Sequence, residues 1–236
     1  YENLYPERNL PKGAVVSRFA PSPTGFVHMG SMLTAFVESK VPKDTNGVFY
    51  LRIEDTDGKR SVENGIQGIV DDLKNFEIEI DEGMISETES KGNYGPYIQS
   101  QRKEIYDTYA KYLVSEGLAY PCFCTPEEIE EIRQVQEKKK MRIGYYGRWA
   151  TCKYLSNEER AERIKRGDPY IVRLNSPGNF ENKVILNDLV RGRIELPEND
   201  NDIVLIKSDG LPLYHFAHVI DDHLMHTTHV MRGEEW

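Results

Sequence analysis

The segment RFAPSPTGFVHMGSM, residues 18–32, combines residue types that are suited to holding phosphate groups. A short apolar run ends at two prolines, passes Gly25, His28 and Gly30, and then continues with helical spacing. A turn between a strand and a helix directs backbone N–H groups and the positive end of the helix dipole at an anionic ligand. The segment therefore predicts a nucleotide-binding turn.

Three kinds of phosphate-binding turn can be compared with this segment. The dinucleotide-binding pattern G-x-G-x-x-G is absent from it. A Walker loop is excluded because the sequence from Gly25 to Ser31 lacks the lysine that contacts the outer phosphates. In the third kind, a histidine contacts phosphate or ribose and a glycine lets adenine approach the backbone. His28 and Gly30 fit this kind, although a single histidine before a glycine is more often structural.

The elements around the turn alternate between strand and helix. Residues 14–20 predict a strand, residues 28–41 a helix, residues 47–55 a buried strand, and residues 61–76 a second helix with Ser61 as its N-cap. This alternation indicates an α/β fold with a parallel sheet.

The rest of the chain predicts three further helices and several strands. The helices cover residues 100–120, with Gly117 as the stop, and residues 125–140 and 156–167, which open with Thr125 and Ser156 as N-caps. Predicted strands lie within the ranges 170–177, 183–197, 202–206 and 228–236, and a helix begins within 207–222.

Composition narrows the class of protein. The chain has 236 residues, 39% of them hydrophobic and 29% charged, which is typical of a globular protein. No apolar run approaches the ~18 residues of a membrane helix, and three cysteines argue against a disulfide framework, so we expect a cytoplasmic protein without membrane contact.

Charge is distributed unevenly along the chain. The net charge is −9, yet residues 133–173 contain twelve Lys or Arg against five Asp or Glu. Such a run is most often a solvated helix face; the alternative is a local phosphate-binding surface.

Four motifs in order resemble the bacterial-type glutamyl-tRNA synthetases, which are class I aminoacyl-tRNA synthetases. They are RFAPSPTGFVHMG, YLRIEDTD, the stretch from DEG to YGPYIQSQR, and IKSDGLPLYHFAHVIDDHLMHTTHVMRGEEW. The resemblance implies a Rossmann-like parallel-sheet nucleotide-binding domain formed by residues 1–118 and 198–236. It also implies an inserted α+β domain at residues 119–197 that binds the tRNA acceptor stem.

The reaction of the family has two steps. Glutamate attacks the α-phosphate of ATP to give glutamyl-adenylate, and the glutamyl group then passes to the 3′ end of tRNA. Because the attacking carboxylate is already charged, catalysis needs positioning and charge stabilisation and no general base. The resemblance thus implies L-glutamate, ATP with Mg²⁺ and tRNA as ligands, and a monomer is the default expectation.

The resemblance also implies which residues form the site. His28 and Gly30 would belong to the ATP loop together with Ser22 and Ser31, which stands where the family usually has a second histidine. The glutamate pocket would consist of Arg18, Ala20, Ser22, Glu54, Tyr214, His218 and Arg232, with Trp236 as a wall.

Within this pocket, each residue type suits one part of glutamate. The forked guanidinium groups of Arg18 and Arg232 suit the two carboxylates. Glu54 would take the α-ammonium, and Tyr214 would donate its hydroxyl. His218 stands where other bacterial enzymes often carry asparagine.

The inserted domain would contact tRNA phosphates through its basic stretch, although each single residue could equally be a solvated helix end. The candidates are Lys138, Lys139, Lys140, Arg142 and Arg148.

A Cys-x-Cys pair in the same domain, Cys122 and Cys124, corresponds to a zinc site of some members. Their second pair of ligands falls near Trp149 and Thr151 here, with Cys152 adjacent, and Tyr145 or Tyr146 would be a poor fourth ligand. The sequence therefore does not favour zinc, and we assign no metal.

The second signature of the family, Lys-Met-Ser-Lys-Ser, and its anticodon-binding region are absent from the sequence. We therefore expect an N-terminal catalytic fragment with almost no activity by itself. Two alternatives stay open. The first is a tRNA-modifying paralogue of the glutamyl-queuosine type, favoured by HMGS and Cys-x-Cys; the second is a non-catalytic tRNA-binding module.

Overall fold

The computed structural model describes residues 1–25, 27–57 and 62–233. These residues form two compact units, one made of 1–106 with the segment from 214 onward, the other of 107–213. The second unit contains the predicted insertion of 119–197 and extends beyond it at both ends.

The first unit is built around a four-stranded sheet. Its strands, in spatial order, are β1 (Val16–Phe19), β2 (Val48–Leu51), β3 (Glu82–Met84) and β4 (Ser90–Lys91). The first three strands are parallel and β4 is antiparallel. All residues of β1 and β2 are buried, as the apolar runs in the sequence predict. The predicted parallel sheet is confirmed.

Two helices connect the parallel strands. Helix α1 (Met29–Thr45) joins β1 to β2, and α2 (Gly65–Asn75) joins β2 to β3. The turn after α1 needs glycine at residue 47, because a Cβ there would lie 1.8 Å from the carbonyl oxygen of Val15. Helix α2 has Asn64 as its N-cap; the predicted cap, Ser61, lies outside the described residues.

The first unit closes with a helix and an irregular segment. This helix, labelled α6 below, spans Tyr214–Leu224. The strand predicted for 228–236 is wrong over its described part, 228–233, which contains no strand. Thr228 and His229 both donate their N–H groups to the carbonyl of Val16, so the segment meets β1 at one residue and cannot continue as a ladder.

The second unit combines helices with antiparallel strands. In chain order its elements are α3 (Lys103–Ser115, which begins in the first unit), β5 (Ala119–Cys122), α4 (Pro126–Lys138), α5 (Asn157–Arg166), β6 (Ile171–Leu174), β7 (Lys183–Asp188), β8 (Gly192–Pro197) and β9 (Val204–Ile206). The order β5–β6–β9 forms one sheet and β7–β8 a hairpin. Helices α4 and α5 each begin with the predicted capping box. In the described part of the chain, no helix has both the length and the apolar character to cross a lipid bilayer.

Candidate active site

The candidate site lies where β1 and β2 end. Arg18 is the third residue of β1, and Ala20 and Ser22 follow that strand. Glu54 comes three residues after β2, and its N–H donates to the carbonyl of Pro21 at 3.0 Å. The two segments are thereby joined at the carboxyl edge of the parallel sheet, where α/β folds bind ligands.

The chain that follows β1 leads to an exposed turn, which forms the N-terminus of α1. His28 is the N-cap, and its Nδ1 accepts the N–H of Ser31 at 3.2 Å. A Cβ on Gly30 would lie 3.1 Å from the His28 ring, so glycine leaves room for the imidazole. His28 and Gly30 are exposed and Ser31 is half-buried. The predicted nucleotide turn therefore presents a capped helix N-terminus to solvent.

Helix α6 directs one face at the site. Tyr214, His218 and Asp222 follow one another at a spacing of four residues, which places them on one side of the helix. The rings of Tyr214 and His218 stack with centroids 4.8 Å apart. Arg232 donates to the Tyr214 hydroxyl at 2.9 Å and lies 3.3 Å from Nε2 of His218. We call Tyr214, His218 and Arg232 the outer wall of the site.

His218 is a neutral ring in this arrangement. The Tyr214 carbonyl, 3.0 Å from Nδ1, can only accept, and the Arg232 guanidinium can only donate. The ring must therefore carry its proton on Nδ1 and accept at Nε2. Burial and the nearby Arg232 charge lower the pKa of His218 in agreement with this state.

Arg18 is buried and held by acidic side chains. Its Nε and Nη2 donate to Asp222 at 3.2 and 3.4 Å, and its Nη1 lies 3.5 Å from Oε1 of Glu38. Arg52, fully buried, donates to the same Asp222 at 2.7 Å and to Glu54 at 3.1 Å. We call Arg18, Glu38, Arg52 and Asp222 the buried wall.

Burial and charge pairing compete at the two acids of this region, and the pKa values of Asp222 and Glu54 shift in opposite directions. Burial opposes ionisation of Asp222, but Arg52 and Arg18 together lower its pKa. Burial raises the pKa of Glu54 although Arg52 acts against it. Burial and the negative charge of Glu54 raise the pKa of Tyr214, which keeps its phenol protonated and able to donate. Glu54 and the outer wall thus act on one another.

Three residues of the buried wall were not predicted as site residues. Glu38 lies on the buried face of α1 with Met32 and Ala35. Most of the larger apolar side chains of this helix are exposed instead, so no local pattern in the sequence pointed to Glu38. Arg52 lies within the motif YLRIEDTD, and Asp222 continues the four-residue spacing from Tyr214. The predicted pocket wall, Trp236, lies outside the described residues.

A cluster of thiols occupies the second unit. The Sγ atoms of Cys122, Cys124 and Cys152 lie within 4.8 Å of one another. The Tyr145 hydroxyl is 3.5 Å from Sγ of Cys122 and 3.1 Å from Sγ of Cys124. Hydrogen bonds from Cys124 and Cys152 lower the pKa of Cys122. Three thiols around one point fit three of the four positions of a tetrahedral zinc site, and the Tyr145 phenol is an oxygen donor beside them.

The basic stretch divides into exposed and engaged residues. Lys138, Lys139 and Lys140 are exposed at the end of α4. Arg142 instead pairs with Asp200 at 2.5 Å. Its guanidinium also lies over the rings of Tyr146 and Phe180, at 4.2 and 4.0 Å. Arg148 lies 4.8 Å above the ring of Trp149.

Curated glutamate–tRNA ligases are similar to this chain over its whole length. The glutamate–tRNA ligase of Clostridium beijerinckii is 54% identical over 236 residues, which cover the whole chain and 43% of that protein. The glutamate–tRNA ligase of Acetivibrio thermocellus is 51% identical, again over 43% of its length. The chain therefore spans less than half the length of these curated relatives.

The fold is similar to that of a glutamate tRNA ligase whose structure has been solved. The crystal structure of a glutamate tRNA ligase from Elizabethkingia meningosepticum, in complex with its amino acid, superposes with a TM-score of 0.85 and 38% identity. The superposition covers 94% of this chain and 44% of the Elizabethkingia chain. The family model described as tRNA synthetases class I (E and Q), catalytic domain, matches residues 14–236, and the chain belongs to that family.

Proposed function

We propose that the chain is the N-terminal catalytic part of an enzyme that activates L-glutamate with ATP and transfers it to tRNA. The observation that carries the proposal is the grouping of Arg18, Arg232, Glu54 and Tyr214 around one edge of the sheet. Two guanidinium groups complement two carboxylates, and one carboxylate complements one ammonium. The identity to glutamate–tRNA ligases supports the choice of amino acid.

The proposal gives each of these residues a role. Arg18 and Arg232 bind the carboxylates of glutamate, and Glu54 binds the α-ammonium, with Ala20 and Ser22 beside them. The exposed turn at His28 and Gly30 receives the phosphates of ATP at the N-terminus of α1. Mg²⁺ carried by ATP supplies neutralisation of phosphate charge. Holding the carboxylate near the α-phosphate is then the main contribution of the protein.

For tRNA, we propose Lys138, Lys139 and Lys140 as the phosphate contacts. Arg148 is a weaker candidate. Arg142 contributes to tRNA binding only if it leaves Asp200, so we expect it to hold the local structure instead.

We further propose that Cys122, Cys124, Cys152 and Tyr145 hold a structural zinc ion, which the sequence did not favour. The thiol cluster supports this, since three cysteine sulfurs within 4.8 Å of one another are typical of a zinc site, although Tyr145 is a weaker donor than a fourth cysteine or a histidine. Metal analysis of the purified protein tests the site, with Cys124→Ser as the comparison. Two results together contradict it: a protein purified without zinc, and a melting temperature that a chelator does not change.

The three cysteines form no disulfide, which also favours a cytoplasmic location.

The amino-acid specificity can be tested by calorimetry. A non-hydrolysable glutamyl-adenylate analogue is titrated into the chain, with the glutaminyl analogue as competitor. We expect the glutamyl analogue to bind more tightly, because a neutral amide does not attract a guanidinium as a carboxylate does. Arg18→Ala should weaken binding by roughly 10- to 100-fold, the effect of losing charge-assisted hydrogen bonds.

A matched control is Arg133→Ala, which removes an exposed arginine paired with Glu130 and Glu137 on α4. It should leave binding of the analogue unchanged. Equal affinity for the glutamyl and glutaminyl analogues, or an unaltered affinity in Arg18→Ala, would remove the basis of the proposal.

A further inference from the structure

Helix α1 buries a carboxyl group that no element of the predicted site requires. Glu38 is 2% exposed and lies on the same face as Met32 and Ala35. Its Oε1 is 3.5 Å from Nη1 of Arg18, and its Oε2 is buried with no hydrogen-bond partner among the described residues. A buried carboxylate with one long contact is costly, whereas a buried neutral acid costs much less.

The charges around Glu38 do not balance if every acid is ionised. Among the residues that the structure describes, the connected network contains three guanidinium groups and four carboxyl groups, namely Arg18, Arg52, Arg102, Glu38, Glu54, Asp221 and Asp222. One carboxyl group is therefore in excess, and the most weakly paired one is expected to be neutral.

The distances identify which acid that is. Asp221 accepts from Arg102 at 2.7 Å and also from Gln99 and Tyr106. Asp222 accepts from Arg52 at 2.7 Å and is shared with Arg18. Glu54 accepts from Arg52 at 3.1 Å. Among the described residues Glu38 has only its 3.5 Å contact, whereas each of the other three acids accepts from at least one arginine at 3.1 Å or less.

The charged groups that act on Glu38 come from three elements. Arg18 on β1 and Arg52 after β2 favour its ionised form, and Asp222 on α6 opposes it. Burial outweighs the two arginines and raises the pKa of Glu38 to about 8. The geometry and the electrostatics thus agree.

We propose that Glu38 is a positioning residue that holds the Arg18 guanidinium as a neutral acid, so that the charge of Arg18 remains available to a ligand's carboxylate. The inference rests on the proposed function in naming Arg18 as the residue that binds the amino acid. A guanidinium has five N–H donors. Three of those of Arg18 point at Asp222 and Glu38. If Glu38 were ionised, the network would hold four carboxylates against three guanidinium groups, and the ligand's carboxylate would meet a net negative charge.

The protonation state can be measured without any ligand. Carboxyl-carbon NMR of the whole chain, labelled at glutamate, is recorded against pH for the wild type and for Glu38→Gln. We expect one resonance with a midpoint near the raised value, and its absence from the variant. If the resonance lost in the variant titrates with an ordinary glutamate midpoint, the proposal is overturned. Should the variant not fold, infrared spectroscopy of the wild type at about pH 7 is the second measurement, and the absence of a protonated-carboxyl band overturns the proposal.

The effect on binding is measured with the glutamyl-adenylate analogue at two pH values. If only protein with neutral Glu38 binds, wild-type affinity should fall roughly tenfold between about pH 7 and pH 9, since the competent fraction falls by that factor. Glu38→Gln, which mimics the neutral acid, should lose this difference, whereas Glu38→Ala should bind more weakly at both pH values. An equal decline in wild type and Glu38→Gln contradicts the inference. Absence of binding at every pH instead contradicts the proposed function, while the NMR midpoint still decides the state of Glu38.

Discussion

The two walls of the candidate site are built by different means. In the buried wall, charged side chains fix one another before any ligand arrives, and Asp222 is shared by two guanidinium groups. In the outer wall, Arg232 is exposed and contacts one hydroxyl and one neutral ring. The first wall is therefore preorganised at a high cost of desolvation, and the second can adjust to a ligand at little cost. Substitutions in the first should change stability and binding together, and those in the second should change mainly binding.

The largest expected effect is that of Asp222→Asn. This change leaves Arg18 and Arg52 buried without the carboxylate that they share, and breaking a buried ion pair from one side costs about 3–5 kcal/mol. Urea unfolding followed by circular dichroism at neutral pH measures the loss.

The matched control for this substitution is Asp107→Asn. Asp107 pairs with Lys111 across one turn of α3, and both side chains are largely exposed. An exposed pair of this kind contributes little to stability, because water screens the two charges and the side chains stay mobile. A loss of the same size in both variants would mean that the buried wall is not preorganised by its charges.

The next effect concerns Glu38→Gln and its dependence on pH. The pKa of Glu38 is raised from its ordinary value to about 8, so the folded state retains a proton that the unfolded chain releases. This contribution to stability is complete below the unfolded pKa and is lost as pH rises through the folded one. Since each pKa unit corresponds to about 1.4 kcal/mol, the wild type should lose a few kcal/mol over that window relative to the variant.

Denaturant unfolding of both proteins at several pH values tests this prediction. The variant should match the wild type in mild acid and exceed its stability at about pH 9. Glu131→Gln, at an exposed position of α4, serves as the control and should follow the wild type at every pH. A variant less stable than the wild type in alkali would show that ionised Glu38 stabilises Arg18.

Local patterns in the sequence predicted local structure well. The capping boxes at Thr125 and Ser156, and the alternation of strand and helix in the first unit, depend on residues close in the chain. The strand predicted for 228–236 is wrong over its described part. An alternation of apolar residues does not show whether a neighbouring strand has backbone groups free to form a hydrogen-bonded ladder. Thr228 and His229 both donate their N–H groups to the carbonyl of Val16 instead of to successive residues of β1.

The candidate site likewise contains residues that the sequence could identify and residues that only the structure shows. Motif residues such as Arg18 and Tyr214 could be named from the sequence, and their roles remain predictions. Asp222, which holds Arg18, is 204 residues away in the chain, and no local pattern joins them. Glu38 could not be suspected either, because most of the large apolar side chains of α1 lie on its exposed side and not beside Glu38. Long-range pairing of charges is decided by packing, so it becomes visible only in the structure.

A smaller effect on stability is expected for Arg232→Lys in the outer wall. An ammonium is a single charge and cannot donate in a fixed fork to both Tyr214 and His218. Because Arg232 is exposed, unfolding should change by about 0.5 kcal/mol or less, while affinity for the glutamyl-adenylate analogue should fall several-fold. Urea unfolding and calorimetry on the same sample separate the two effects; a loss of stability as large as that of Asp222→Asn would erase the contrast between the walls.

The smallest and most specific effect is expected for His218→Asn. Burial lowers the pKa of His218, so the ring is neutral at neutral pH and accepts from Arg232. As pH falls through that lowered pKa, the ring gains a proton, can no longer accept, and repels the guanidinium. Wild-type affinity for the analogue should therefore decline in acid, whereas an asparagine amide has no proton to gain and should remove the decline. His215→Asn, on the exposed side of the same helix, should retain it. If both variants keep the acid decline, another group titrates, and Arg232 is not held by a neutral imidazole.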